Sequence, residues 1–136
     1  MELEFKQIKI SDSNFLYELL KSRNPIENIS HKKMPTHKQH LNFIKSKPYK
    51  NWYIILYKKI PIGSLYLSKI NEIGIHMLPK YDKTLFYTET INFIIKNNPD
   101  SRLLVNVGNM NKKMISYYKK IGFQLIQYTF EKNPGD

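Results

Sequence analysis

Cysteine is absent from this chain of 136 residues, which excludes disulfide bonds, cysteine nucleophiles and thiolate metal sites. Arginine is scarce, since Arg23 and Arg102 are the only two among 22 basic residues. No apolar run approaches the ~20 residues that a membrane-spanning helix requires. The N-terminus also lacks the basic and then apolar layout of a signal peptide. These absences predict a cytoplasmic protein without a membrane partner.

The charge that is present is strongly positive, with a formal net charge of +11. Surfaces that recognise phosphate usually recruit the planar guanidinium of arginine, whereas this chain scatters lysines and shows no nucleic-acid-binding motif. We therefore do not expect nucleic acid as a partner, although the charge keeps a basic nucleic-acid-associated protein as one alternative. The positive field would attract nucleotide phosphates and speed their association.

Length and composition predict one folded domain over residues 1–136, because 41% of the residues are hydrophobic and 13% are aromatic. Periodicity and breakers predict the element order β-α-α-β-β-β-α-β-α-β. The predicted strands cover residues 3–9, 52–57, 62–67, 72–78, 103–107 and 123–130. Thr36 is predicted to cap the second helix, and the third helix is predicted over residues 84–96. This order favours an α/β domain with a mixed sheet of about six strands and about four helices.

The most informative segment lies between the last two predicted strands. Asn109 or Asn111 offers a side-chain oxygen that can cap a helix. Gly122 ends that helix, because glycine tolerates a left-handed conformation. The apolar residues between them recur at helical spacing and form one stripe: Met114, Ile115, Tyr118 and Ile121.

This order of strand, Asn-x-x-x-x-x-x-Tyr-Lys-Lys-x-Gly-Phe and strand closely resembles the C-terminal half of the GCN5-related N-acetyltransferases, the GNAT superfamily. Weaker similarities lie in Ile60–Gly63, which resembles the family's hairpin, and in Asn71–Pro79, which resembles its fourth strand. The resemblance extends from residue 3 to about residue 132. It implies a central, mostly antiparallel mixed sheet and an enzyme that moves an acetyl group from acetyl-CoA to a primary amine, with no metal.

The resemblance also implies roles for individual residues. Asn111 would contact coenzyme A, and Tyr118 would protonate the departing thiolate. Backbone N–H groups of His76, Met77 and Leu78 would hold the acetyl carbonyl and the pantetheine. Two simpler interpretations remain open, in which Tyr118 only packs on the sheet and Asn111 only caps its helix.

Glu72 and His76 are the candidate bases that would deprotonate the amine. Alternation along a strand places both side chains on one face, roughly 13 Å apart at their Cα atoms. Alternatively, Glu72 is a solvated strand end and His76 an interior residue. The histidines His31, His37 and His40 raise the question of a metal, but we expect none because no carboxylate lies close to them in sequence.

The loop before the third helix departs from the family pattern. Where the family has glycines that let backbone N–H groups approach the pyrophosphate, the segment 80–88 has none, and Lys83 stands at the first glycine position. The residues at which coenzyme A would bind are Lys83, Thr84, Leu85, Phe86 and Tyr87. We expect Leu85 and Tyr87 to crowd the helix start and Asp82 to repel the phosphates. A degenerate binding or assembly module of the same fold is therefore an alternative.

Arg23 and Asn24 follow the first helix, where several GNAT enzymes frame their acceptor. The resemblance implies that these two residues bind the substrate, with Arg23 pairing with a phosphate or carboxylate; a surface arginine at a helix end is the simpler alternative. Amino sugars, small amines and peptide N-termini all remain candidate acceptors. Homodimer formation is also left open.

Overall fold

One sheet organises residues 2–23 and 33–135, the part of the chain that the computed structural model describes. Its five strands lie side by side in chain order, and they are β1 (Leu3–Gln7), β2 (Asn51–Tyr57), β3 (Ile60–Leu67), β4 (Glu72–Met77) and β5 (Leu104–Val105). The first four strands pair antiparallel, and β4 pairs parallel with β5. The predicted mixed and mostly antiparallel sheet is confirmed.

Four helices flank this sheet, and they are α1 (Ser13–Lys21), α2 (His37–Lys45), α3 (Thr84–Asn97) and α4 (Lys112–Lys120). Thr36 caps α2 as predicted, since its hydroxyl accepts from the Gln39 N–H at 3.1 Å and the Gln39 side chain accepts from the Thr36 N–H at 2.9 Å. Gly122 ends α4 with φ of +108°, a conformation that glycine adopts without strain.

The helices cover both faces of the sheet. Leu16 of α1 and Ile44 of α2 pack against Ile54 on one face. The next residue of β2, Ile55, points the other way and packs in the larger core with residues of α3 and α4. Because side chains alternate along a strand, the apolar run of β2 is buried on both faces.

Strands β4 and β5 part soon after they meet. Their pairing is limited to Glu72 with Leu104 and Ile73 with Val105, while β4 continues to Met77. A gap therefore opens between the C-terminal half of β4 and the chain after β5. No helix within residues 2–23 and 33–135 is long and apolar enough to cross a bilayer.

The sixth predicted strand, over residues 123–130, is not a strand in the structure. Phe123 still packs against the core, but Tyr128 and Phe130 are 76% and 91% exposed. Alternating apolar residues form a strand only where a neighbouring strand offers hydrogen bonds, and no described strand pairs with this segment. The strand predicted over residues 103–107 is likewise reduced to Leu104–Val105.

Candidate active site

A cleft of about 510 Å³ runs from the end of α1, across β3 and β4, to the gap between β4 and β5. It brings together predicted site residues that are far apart in the sequence. Those that line it are Arg23, Glu72, His76, Tyr87, Asn111 and Tyr118. Lys83, Thr84, Leu85 and Phe86 do not line it, and Asn24 lies outside the described residues.

Glu72 begins β4 with its carboxylate held in place. Asn106 Nδ2 donates to Glu72 Oε2 at 2.6 Å, and Ser68 Oγ lies 3.5 Å from Glu72 Oε1. Ser68 Oγ also accepts from the Glu72 backbone N–H at 2.9 Å. The carboxylate is therefore oriented by neighbours just after β5 and in the preceding turn, unlike a freely solvated strand end.

His76 shares the cleft with Glu72, as strand alternation predicts. Its ring meets the ring of Tyr66 edge to face, with centroids 6.2 Å apart and an interplanar angle of 88°. Tyr66 in turn stacks on Tyr49 at 3.9 Å. His76 is half-buried, so its imidazole is both positioned by aromatic packing and accessible from the cleft.

Tyr118 and Tyr117 point in different directions. Tyr118 lines the cleft, whereas Tyr117 is buried against α3, where its hydroxyl lies 2.6 Å from the Thr88 hydroxyl. Burial is the main cause that raises the pKa of the Tyr118 phenol. The phenol therefore keeps its proton across the usual pH range and is available as a donor from the cleft wall.

The backbone donors in the gap agree with the prediction at Met77 only. The Leu78 N–H donates to Ile62 O at 2.8 Å, and the Ser68 N–H donates to Glu72 O at 2.8 Å. Between these two hydrogen bonds, β3 and β4 pair in one uninterrupted register. Because hydrogen bonding alternates along an antiparallel pair, His76 and Leu78 direct their N–H groups to β3. The N–H groups that face the gap belong to Ile75 and Met77. Of the three residues predicted to supply donors, Met77 alone lies in the right register.

Asn111 combines two features. Its Oδ1 accepts from the Met114 N–H at 3.4 Å and so caps α4, and the residue also lines the cleft. The cap uses the oxygen of the side chain, so the amide nitrogen is the group that could meet a ligand.

The start of α3 does not need the missing glycine for its backbone shape. Lys83, the cap residue, has φ of −133°, which any residue adopts. The Phe86 and Tyr87 N–H groups both bond to Lys83 O, at 3.0 and 3.4 Å. Within the described chain, the N–H groups of Thr84 and Leu85 have no backbone acceptor, and they are the donors that α3 presents.

The predicted crowding of this helix start is not seen in its expected form. Leu85 is 61% exposed, whereas Tyr87 is buried and donates its hydroxyl to Asp82 Oδ1 at 3.0 Å. Two residues apart on a helix lie about 200° apart around its axis, so these side chains diverge. The Asp82 carboxylate is engaged by Tyr87.

Lys113 places a cation beside the same loop. Its Nζ donates to Asp82 O at 3.2 Å, although the two residues are 31 positions apart in the chain. No sequence signal singles out Lys113 among the many lysines. Asn106, Tyr49 and Tyr66 were likewise missed, because nothing local to them indicates that Asn106 meets Glu72 or that Tyr66, stacked on Tyr49, meets His76.

The histidine pair on α2 shows aromatic packing. The His37 ring stacks on Tyr17 with centroids 3.6 Å apart, and the buried His40 meets the same ring at 5.7 Å. Within residues 2–23 and 33–135, no group of three or more potential metal ligands is present; His31 lies outside this part.

No family model and no curated protein matches the chain. Solved structures do match it. The spermidine/spermine N-acetyltransferase SpeG from Vibrio cholerae, in mutant forms, is 19% identical with a TM-score of 0.71, and the match covers 90% of this chain and 79% of that one. A predicted acetyltransferase with acetyl-CoA from Clostridium acetobutylicum is 14% identical with a TM-score of 0.69, over 97% of this chain and 96% of that one.

A third similar structure is RimL, an alpha-N-protein acetyltransferase of a ribosomal protein, in complex with coenzyme A. It is 12% identical with a TM-score of 0.72, and the match covers 92% of this chain and 81% of that one. At these identities the likeness shows the fold, which is that of the acetyltransferases.

Proposed function

We propose that this chain, whose fold is that of the GCN5-related N-acetyltransferases, is an enzyme that transfers an acetyl group from acetyl-CoA to a primary amine. One observation carries the proposal. The gap between β4 and β5, with the N–H groups of Ile75 and Met77 facing it, opens into the cleft that holds Glu72 and Tyr118. Acetyl transfer needs these three kinds of group together: carbonyl donors, a base and an acid.

The residues present fit acetyl-CoA as a co-substrate. The parted strands leave room for an extended pantetheine, whose amides would pair with β4 as an added strand does. The N–H groups of Thr84 and Leu85 at the start of α3 suit phosphate oxygens, and Lys113 adds a positive charge beside that loop. Asn111 would contact the cofactor through its amide nitrogen.

The acetyl carbonyl oxygen would lie against the N–H groups of Ile75 and Met77, which stabilise the negative charge that develops there. Glu72 accepts a proton from the acceptor ammonium and so frees the nitrogen lone pair; His76 is the second candidate base. The nitrogen then attacks the carbonyl carbon, and the N–C bond forms as the C–S bond breaks.

Tyr118 completes the reaction by giving its phenolic proton to the departing sulfur. The proton that nitrogen loses as the amide forms returns to Tyr118 through water, and Glu72 releases the proton taken from the ammonium to solvent, so protons balance over one turnover. Because burial raises the pKa of this phenol, its proton is less acidic than that of an ordinary tyrosine. The transfer therefore depends on contact with the thiolate, whose negative charge draws the proton as the C–S bond breaks.

The acceptor is an amine in the proteins named above: SpeG is a spermidine/spermine N-acetyltransferase and RimL an alpha-N-protein acetyltransferase. For this chain we propose a primary amine that enters between Arg23 and Glu72. Amino sugars, small amines and peptide N-termini are the classes to be compared.

Titration of the protein with acetyl-CoA tests the proposal first. A ligand at 100 times its dissociation constant stabilises the fold by about 2.7 kcal/mol, so thermal unfolding and calorimetry should both report binding. Release of coenzyme A thiol in the presence of amines, measured with a thiol reagent, then reports turnover, with Glu72→Gln as the inactive control. Absence of heat and of a thermal shift at millimolar acetyl-CoA would overturn the proposal, whereas binding without turnover of any amine would favour the binding module.

A further inference from the structure

The end of the cleft away from the gap between β4 and β5 is walled by aromatic rings. Tyr49 and Tyr66 stack with centroids 3.9 Å apart and an interplanar angle of 6°. Trp52 meets Tyr49 edge to face at 4.8 Å, and Phe43 meets both Tyr49 and Trp52 at 5.8 and 6.1 Å. These side chains come from α2, the loop after it, β2 and β3. A wall assembled from rigid rings on four segments suits a flat, largely apolar body in the ligand.

The charges in the same cleft are few and of opposite sign. Among the described residues that line it, Glu72 is the only acidic one, and Arg23 and Lys33 are the basic ones. Burial raises the pKa of the Tyr66 phenol; Arg23 opposes this shift and Glu72 adds to it. Arg23, Tyr66 and Glu72 line the same cleft, so the two opposite charges act on this phenol from within it.

A buried donor in the aromatic wall points to the same kind of ligand. Trp52 Nε1 is buried and has no hydrogen-bond partner among the described residues, and Trp52 lines the cleft. An indole N–H can only donate, and a buried donor left unpaired is destabilising. Because this nitrogen is buried, an acceptor oxygen of a bound molecule reaches it only if the aromatic wall shifts to uncover it.

A polyamine fits this cleft poorly. Spermidine carries several ammonium groups, each of which needs a carboxylate or comparable acceptor when it leaves water. Glu72 is the one carboxylate of the described lining, and two cations, Arg23 and Lys33, share that lining with it. The acceptor of SpeG is therefore not the acceptor that this lining favours.

We propose that the acceptor is a small amine that also carries a flat ring and an anionic group, a carboxylate or a phosphate. This inference rests on the proposed function for the identity of the reaction. The ammonium lies at Glu72 and His76, the ring lies against Tyr49, Trp52 and Tyr66, and the anionic group is bound by Arg23. Recognition by an arginine fork suits both carboxylate and phosphate oxygens.

Matched amines separate these features in a thiol-release assay with acetyl-CoA. Phenylalanine and phenethylamine differ by a carboxylate, pyridoxamine 5′-phosphate and pyridoxamine differ by a phosphate, and phenylalanine and alanine differ by the ring. We expect the anionic member of at least one pair to have a kcat/KM about 10- to 100-fold above that of its partner, since a hydrogen-bonded charge is worth that much. Phenylalanine should exceed alanine, and spermidine should rank last. The pair that responds tells whether carboxylate or phosphate is the natural group.

Variants of Arg23 test the assignment directly. Arg23→Gln should abolish the preference within the responding pair by lowering kcat/KM for the anionic member toward that of its neutral partner, and Arg23→Lys should keep part of the preference. Lys33→Gln is the matched control for loss of a positive charge in the same lining. Thermal unfolding of each variant checks that the fold is intact.

The outcomes are distinguishable. Equal rates within every pair, or spermidine as the best acceptor, would overturn this inference and leave the proposed acetyltransferase standing. If no amine is acetylated, the proposed function fails, and saturation-transfer NMR with phenylalanine and pyridoxamine 5′-phosphate decides the inference separately. Binding that Arg23→Gln abolishes would uphold the pocket assignment, and absence of binding by both probes would overturn it.

Discussion

Asn106 and Glu72 join β4 to the chain after β5 through a hydrogen bond of 2.6 Å at the point where the two strands part. The donor is the Asn106 amide and the acceptor is the carboxylate proposed as the base. The contact spans 34 positions in sequence, and it fixes the carboxylate at the mouth of the gap that would receive the thioester. Asn106 is therefore a positioning residue.

Asn106→Ala should lower kcat by about 10-fold while leaving the dissociation constant of acetyl-CoA within about 2-fold. Loss of a hydrogen bond to a charged group is worth about 1.5–3 kcal/mol, and here part of that loss appears as misorientation of the base. Steady-state kinetics with a fixed amine and calorimetry with acetyl-CoA measure the two quantities.

Asn97→Ala is the control for this variant, because the Asn97 amide donates to Phe93 O at 2.8 Å near the end of α3 and does not line the cleft. In a double-mutant cycle, Asn106→Ala should add little to Glu72→Gln, since the two residues act as one unit. Additive losses would show that Asn106 acts independently of Glu72.

Tyr118→Phe should lower turnover by roughly 10²-fold or more, with little change in cofactor affinity, because the proton is needed only as the C–S bond breaks. Burial raises the pKa of Tyr118 above its usual value, so the phenol stays protonated as pH rises through the neutral range. The ratio of wild-type to variant rates should therefore be constant between about pH 6 and 9. A pH series of kcat/KM for both proteins measures this ratio.

The neighbouring Tyr117→Phe provides the comparison. It removes the contact of 2.6 Å with Thr88 and should cost about 1 kcal/mol of stability without a loss in turnover. If both variants lose activity equally, or if Tyr118→Phe is fully active, the assignment of Tyr118 as the acid is wrong.

Local signals in the sequence were sufficient for the helices and their caps. Thr36, Asn111 and Gly122 act through residues within four positions of themselves, so composition and spacing predict them. The order of elements up to α4 followed from the same signals. The face of β4 that carries Glu72 and His76 was also predictable, because alternation of side chains is a property of any strand.

Register and long-range contacts were not predictable in this way. Which N–H groups of β4 face the gap depends on its pairing with β3, so His76 and Leu78 were chosen beside Met77, and Ile75 was missed. The segment 123–130 has the alternation of a strand, but a strand also requires a partner. The loop 80–88 appeared damaged without glycine because the extended conformation of Lys83 cannot be read from its neighbours.

Gly74→Ala should damage the acceptor end of the cleft selectively. A Cβ at this position would lie 2.0 Å from Cε2 and Cζ of Tyr66, and Tyr66 cannot yield without leaving its stack on Tyr49. We expect a KM for the acceptor that is raised several-fold, an unchanged affinity for acetyl-CoA and a stability loss of about 1–3 kcal/mol. Acceptor kinetics, calorimetry and thermal unfolding measure the three quantities.

Gly63→Ala is the contrasting variant, because its Cβ would lie 2.3 Å from the backbone oxygen of His76, which cannot move aside. It should destabilise the whole sheet. When Tyr66 is already replaced by alanine, the further change Gly74→Ala should no longer lower the free energy of unfolding, because the ring that the new Cβ would strike is gone. A loss that persists would show that the ring of Tyr66 is not what Gly74 accommodates.

Lys113→Gln should weaken acetyl-CoA binding by about 3- to 10-fold, because the ammonium beside Asp82 O offsets the negative charge of the phosphates near the start of α3. The loss should shrink as salt rises from about 0.01 to 1 M, since exposed charges are screened over about 3 Å at the upper value. Acetyl-pantetheine, which carries no phosphate, should bind both proteins equally.

Lys120→Gln is the control, because it lies two turns further along the same face of α4. An equal loss for both lysines would mean that the general field of the +11 chain, and no local contact, attracts the phosphates.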